Sequence, residues 1–494
     1  MFQNNLLMAA ASISTDAAYT IDYSCRFNTA DTAVLSRANG TATSSTTATI
    51  SFWFKIGVIT NQQGFFGAEG FYTGMTFNSS DQLYLVHGSA GTAVLTTTQV
   101  FRDPSAWYHC MVVFDTTESV GSDRVKLYIN GLRVMAYTSG TFPTEDEAFA
   151  RWNTSGYTNL VADGHSTYPN FDGYLSEFHS TDGTAYGPEK FGEFNNGVWR
   201  PIEVSGVTYG NNGFYFDFAD SSNLGNDVSG NDNDFTSSGL AADDQMDDTP
   251  TTNYCTLSPI RGKGTITYSD GNLDAVGAVA AQSVAVGSIA TTSGKFIYAS
   301  QPASITTNIG EPYLANESYF EAGLPDLNSA SNVWGIKLNT STTWIVEKEG
   351  TGTTITHGFS GGWEAGVDFL VICFDVDNSK IWCGGYDVSA DVLAFTDGST
   401  GVTGDPGAGT NATATISGTE FTGVFDFWNT RAADTDFGQA DLLSQITIPT
   451  GFKFLNTANL PKPTIQNGKK YFDTILYEGN GVGQKAGQFQ PITE

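Results

Sequence analysis

Positive charge is scarce in this chain. Lys and Arg number 22 against 52 Asp and Glu in 494 residues, a formal charge of −30. A surface of that sign repels the nucleic-acid backbone and anionic lipid, which excludes nucleic-acid binding through a general basic face. No apolar run reaches the roughly 18 residues that a membrane-spanning helix needs, so membrane insertion by a helix is excluded as well. The segment Met1–Ala10 has no basic region ahead of its apolar residues, so we expect no secretory signal and synthesis in the cytoplasm. Cysteine is rare and odd in number: Cys25, Cys110, Cys255, Cys373 and Cys383 follow neither a disulfide framework nor a zinc pattern. They read as reduced, buried small residues. Helix-forming charged residues are also sparse, since Asp, Glu, Lys and Arg together make only 15% of the chain.

Polarity is supplied instead by small neutral residues, among them 55 glycines. Short alternating or apolar runs separated by Gly, Asn, Asp, Ser and Thr clusters predict an all-β protein of two antiparallel β-sandwich (jelly-roll) domains. The length also exceeds what one core supports. We divide the chain into an N-terminal arm at 1–20, a first sandwich at 21–240, a linker at 241–258, a second sandwich at 259–465 and a C-terminal docking tail at 466–494. The clearest strands are Trp107–Asp115 and Arg124–Ile129. In the first, Cys110, Val112 and Phe114 alternate with His109, Met111 and Val113, so one set faces a core. Asn130-Gly131 then fits a type I′ hairpin turn. A short helix is expected around Pro188–Phe194, opened by its proline. Cys373 and Cys383 fall on either side of a hairpin turn, where register decides whether they can bridge.

Trp107-Tyr108-His109, Asp115 and Lys126-Leu127-Tyr128-Ile129-Asn130-Gly131 resemble the core of the laminin G and concanavalin A-like lectin family. Phe171-Asp172-Gly173-Tyr174 is similar to the strand that follows there. In the second half, Ser293–Tyr298, Phe374–Trp382 and Phe425–Phe427 resemble the SPRY family, another bent sandwich used for binding. The texture of the whole chain, including Gly197-Val198-Trp199-Arg200-Pro201 and Gly451-Phe452-Lys453-Phe454-Leu455, resembles tail-fibre and structural proteins of tailed bacteriophages.

Candidate chemistry is thin. Glycanases on the lectin sandwich carry a Glu-x-Asp-x-(x)-Glu run on one strand, and this chain has none. Glu145-Asp146-Glu147 follows Pro143 in a loop and reads as a solvated turn. Asp436-Phe437-Gly438 lacks every companion motif of a kinase. The histidines His87, His109, His165, His179 and His357 have no metal-ligand spacing. Two clusters are left. Trp152, Tyr157 and Tyr168 (with Phe171) lie in a polar loop stretch beside Asn153, Asn159 and Asp163, where aromatic faces could stack on sugar rings. Asp217, Asp220, Asp227, Asp232 and Asp234 offer hard oxygen ligands on Asn- and Gly-rich turns, which suit calcium, although such turns also serve simply to reverse strands. Some laminin G domains bind calcium.

No enzyme activity is expected. The resemblances imply a virion protein, a tail fibre or adhesin contacting host surface glycans, located on the tail or capsid surface among other virion proteins. The alternative is a head or tail decoration protein whose sandwiches bind other virion subunits. Burial of edge strands by symmetric assembly leads us to expect a homo-oligomer, a trimer if it is a fibre.

Overall fold

The computed structural model describes residues 19–68, 73–87, 93–163, 169–278, 282–304, 309–359, 361–399, 401–427 and 432–462. The tail expected at 466–494 and all but the last two residues of the arm at 1–20 lie outside them. The described chain is nearly all β, and its strands form two pairs of sheets.

Sheet I runs in the order Leu132–Arg133, Val125–Ile129, Trp107–Asp115, Thr47–Ile56, Gly173–Asp182, Ser24–Phe27 and Gln245–Met246. Sheet II runs Tyr137–Gly140, Ala93–Val100, Gln82–His87, Gly74–Phe77, Gln63–Ala68, Thr158–Val161, Val34–Ala38 and Thr236–Ser238. Between them lies a phenylalanine-rich core in which Phe52 stacks on Phe178, with centroids 5.0 Å apart. The predicted alternation holds: Cys110, Val112 and Phe114 enter this core, while His109, Met111 and Val113 point the other way. The Asn130-Gly131 turn is left-handed at both residues, with φ of 47° and 75°, as a type I′ hairpin requires.

Sheet III runs Leu257–Lys263, Ser283–Gly287, Phe421–Phe427, Ile309–Asn316, Val333–Thr340, Thr343–Lys348 and Thr351–Thr356. Sheet IV runs Ile266–Ser269, Asp274–Gly277, Ala432–Asp436, Lys295–Pro302, Phe369–Asp375, Lys380–Asp387 and Val392–Phe395. The register Ile372↔Cys383 and Cys373↔Trp382 puts the two cysteines on opposite faces of sheet IV. Cys383 joins the core between the sheets and Cys373 the cluster behind it, and all five cysteines are buried thiols.

The helix expected at Pro188–Phe194 shrinks to one 3₁₀ turn, Pro188–Lys190, followed by a hairpin of Gly192–Asn195 and Val198–Pro201. Proline favours the first turn, but the Asn196-Gly197 pair, with φ of 52° and 84°, closes the next residues into strands. The α-helix seen among the described residues is Glu317–Glu321, capped by the Asn316 side chain.

Residues 241–258 run between the two sheet pairs as a seam, exposed at Ala241, Ala242, Asp243 and Asp247 and buried at Asp248, Thr249 and from Tyr254 onward. Lys55, itself inside the protein, donates to Asp248 (2.7 Å), the Asn253 side chain (2.8 Å) and the Tyr254 carbonyl (3.0 Å). Trp107 Nε1 donates to the other Asp248 oxygen at 2.9 Å. Burial of such an ion pair is tolerable only because the remaining hydrogen-bond positions are filled. Tyr174 Oη adds a bond to the Gly271 carbonyl, and the apolar cluster of the second sandwich takes in Tyr174 and Met246 of sheet I.

Candidate functional site

The loop expected to present aromatic faces turns its largest one inward. Trp152 is fully buried against Phe66, centroids 5.2 Å apart, and Phe171 is buried against Phe65. Left-handed backbone at Arg151 (φ 76°) and Asn153 (φ 57°) brackets Trp152 and aims it at the core. Asn153 and Asn159 are buried too. The Asn159 amide donates to Asn153 Oδ1 at 2.9 Å and accepts from Asn39 at 2.8 Å, so these groups clamp the loop. Tyr157 is half-buried beneath the Arg151 guanidinium, 5.0 Å from its ring centroid, and Asp163 is half-buried. Tyr168 lies outside the described residues.

The five aspartates do not converge either. Asp217 accepts from Ala219 N, and Asp220 from Ser222 N and Oγ. Asp227 accepts from the backbone of Tyr215, Ser229 and Asn233 and from Ser229 Oγ, while Asp234 caps Asp227 N. Asp232 is exposed on a left-handed turn residue. Asp217, Asp220, Asp227 and Asp234 accept from turn amides, and among the described residues no three acidic, His or Cys side chains gather around one cation position. The donor set does not fit calcium.

The distinctive surface is the hairpin Gly192–Asn195/Val198–Pro201, which lies over the outer face of sheet I. Among the described residues Phe194 is the one exposed aromatic side chain, at 47%. It faces its cross-strand partner Trp199 edge-on, centroids 5.0 Å apart at 66°. Trp199 in turn lies over Gly131, where any Cβ would come within 2.2 Å of the indole. The residues behind the family resemblance therefore form one unit. The Asn130 side chain accepts from His109 N at 2.8 Å and sets the turn, Gly131 clears space for the indole, and the His109 ring lies 5.8 Å from it. Leu132, next to the glycine, is 64% exposed.

Beneath the hairpin runs a buried polar row. Ser51 Oγ and His109 Nε2 are 2.9 Å apart. His179 Nδ1 pairs with Tyr209 Oη at 2.8 Å and its ring stacks on Tyr215 at 4.0 Å. Tyr215 Oη reaches both Glu177 oxygens, at 3.0 and 2.9 Å. Glu177 has φ 49° and sits in a register shift between Ser176 and His179. That bulge re-aims a carboxylate which simple alternation would send into the phenylalanine core. Burial, with His179 adding to it, lowers the His109 pKa to about 3, so this imidazole is neutral at physiological pH. The Ser51–His109 pair is sealed under Trp53, Phe191 and Pro201. It supplies polar scaffolding with no opening for a substrate.

Strand pattern alone does not single out Phe194. The signal was present, since Asn196-Gly197 between Phe194-Asn195 and Val198-Trp199 is the same hairpin signature that located Asn130-Gly131.

Residues 28–184 match the family model of the concanavalin A-like lectin/glucanases superfamily. That match lies within the first sandwich and makes it similar to concanavalin A-like lectin domains. No curated protein matches the chain. Among solved structures, domains LG4-5 of the mouse laminin alpha1 chain align over 91% of this chain and 97% of theirs, at 8% identity and a TM-score of 0.27. The SPRY domain of human HERC1 aligns over 36% of this chain and 96% of its own, at 13% identity and a TM-score of 0.25. A putative carbohydrate binding protein from Bacteroides ovatus aligns over 44% of this chain and 58% of its own, at 13% identity and a TM-score of 0.30. Among the described residues no helix is long and apolar enough to cross a membrane.

Proposed function

We propose that this chain is a non-catalytic glycan-binding protein of a tailed-phage particle, an adhesin that meets host surface sugars through the Phe194–Trp199 hairpin. The observation that carries the binding reading is the placement of Phe194. In a chain whose other described aromatics are buried or half-buried, this ring is held outward by a second aromatic on a lectin-type sandwich. A rigid aromatic face gives the C–H side of a pyranose a large apolar contact at small entropic cost. Asn196, exposed in the turn of the same hairpin, offers a hydrogen-bonding group for its hydroxyls, whereas Glu193 and Asn195 alternate with Phe194 and face the other side of the hairpin.

The carboxylates support binding over hydrolysis. Glu311 and Asp426 are direct cross-strand partners, yet both are fully buried, and Glu177 is nearly so. A retaining or inverting pair must flank a bond that substrate can reach. The phage assignment rests on the sequence texture described above.

Printing the protein on arrays of bacterial envelope glycans tests the binding reading. We expect binding to a restricted set of glycans, with no release of reducing ends. Failure to bind any of them, or steady release of reducing ends, overturns it. Immunogold labelling of purified particles tests the virion location. A second reading, docking to another virion subunit, draws on the neighbouring exposed Leu132 and Met135, the latter 74% exposed.

A further inference from the structure

Lysine is seldom buried, because its ammonium gives up water that only well-placed partners can replace. Lys55 is 1% exposed and Asp248 is 0% exposed. A buried ion pair adds little stability over apolar side chains of the same volume, so stability alone does not account for this one. A third group sets it apart. Lys55 Nζ lies 2.7 Å from Asp248 Oδ2 and 2.8 Å from Asn253 Oδ1, so an amine, a carboxylate and a carboxamide meet at one nitrogen.

Each member is fixed from outside the trio. Asp248 Oδ1 accepts from Trp107 Nε1 at 2.9 Å and from Tyr254 N at 3.3 Å. The Asn253 amide nitrogen donates to the Ser105 carbonyl at 2.7 Å. The Asn253 backbone is tied to Thr457 twice, donating to its Oγ1 at 3.1 Å and accepting from its N at 2.9 Å. The Tyr174 ring closes over the lysine, 5.7 Å from Nζ to its centroid. We infer that Lys55 and Asn253 join spontaneously in an isopeptide bond, with Asp248 carrying the protons, and that these contacts are those of the reactants.

The reaction balances within the three side chains. A proton moves from Nζ to Asp248 and turns the ion pair into a neutral amine and a neutral acid, an exchange that a site with little water does not oppose. The freed lone pair attacks Asn253 Cγ, whose Oδ1 already faces the amine. A second proton passes from Nζ by way of Asp248 to Nδ2. The Cγ–Nδ2 bond breaks, its electron pair leaves with ammonia, and a secondary amide remains beside a protonated Asp248. The one hydrogen left on Nζ keeps the Tyr254 carbonyl, now 3.0 Å away, as its acceptor. No oxidant or cofactor takes part. Holding amine and amide in contact replaces the bimolecular encounter that the same reaction needs in water.

The bond has a mechanical consequence. It closes residues 56–252, which include most strands of the first sandwich, into a covalent loop. Tension on the chain outside the loop passes through the bond and cannot draw out the strands within it.

Mass spectrometry of the denatured full chain tests this. We expect wild type to weigh one ammonia less than its sequence, and proteolysis to yield a branched peptide joining Lys55 to Asn253. Asn253→Ala and Asp248→Asn should each show the full mass of their own sequence and no branch. Both should run more slowly than wild type on a denaturing gel, because a closed loop makes the unfolded chain more compact. Asn253→Ala keeps the Lys55–Asp248 pair, and its circular dichroism should match wild type. A wild type without the branched peptide overturns the inference. It does so even if ammonia has been lost, since Asn-Gly pairs such as Asn130-Gly131 release ammonia on forming succinimides. A branch that persists in Asp248→Asn overturns the part given to Asp248. Neither result bears on glycan binding, which uses the Phe194 hairpin.

Discussion

Sheet I is buried on both faces, and the two faces are built from opposite chemistry. The inner one is apolar: Phe52, Phe54, Val112, Phe114 and Phe178 interdigitate with sheet II. The outer one carries Ser51, Lys55, His109, Glu177 and His179, covered partly by the hairpin segment and partly by the second sandwich. The inner face is held by area and fit, which tolerate no lost volume. The outer face combines the apolar Met111, Val113 and Phe191 with buried paired groups such as Lys55–Asp248, where a lost partner leaves a charge uncompensated. A single sheet thus serves as the wall of a core on one side and as the mounting for a hairpin and a neighbouring domain on the other.

The largest expected effects break one face at a time. Phe52→Ala removes a ring at the centre of the inner core and should cost about 3–5 kcal/mol, read by denaturant unfolding. Lys55→Ala on the outer face should cost a similar amount, about 3–5 kcal/mol, although it deletes little apolar area, because Asp248 is left buried without its cation. A Lys55→Ala loss near 1 kcal/mol would mean that the seam is wet.

A smaller effect separates groups within the polar side by pH. His109 has a folded pKa near 3, depressed by burial, so on acidification below about 6.5 the unfolded chain takes up a proton that the folded one refuses, and stability falls. Asp172, at the head of the Gly173–Asp182 strand, is pushed up to about 6 by burial. Its contribution is complete below the ordinary carboxylate range and is lost as pH rises through 6. Relative to wild type, His109→Gln should therefore gain stability between pH 8 and pH 5, and Asp172→Asn should lose it, each by on the order of 1 kcal/mol. Calorimetric profiles with the same slope for both variants would contradict these assignments.

Much of the fold was legible in the sequence because period-two alternation survives in strands such as Trp107–Asp115 and Val125–Ile129, and because Asn-Gly turns have few alternatives. Gln63–Ala68 and Gly74–Phe77 were missed. Their glycines weaken any strand pattern, and their burial comes from contacts distant in sequence. Alternation also reports which residues share a face without reporting what covers it, so the polar row under the hairpin was invisible. Trp152 misled for a related reason. Polar neighbours in sequence say nothing about side-chain direction when two left-handed residues turn the ring inward.

The smallest structural effect tests the central claim most directly. Phe194→Ala removes an exposed ring and should change stability by less than about 0.5 kcal/mol. In a titration with a glycan selected on the array, followed by tryptophan fluorescence, wild type should saturate. The variant should bind at least about ten-fold more weakly, as loss of an aromatic anchor implies, at an unchanged melting temperature. Equal affinities for wild type and Phe194→Ala would contradict the hairpin as the sugar-binding surface.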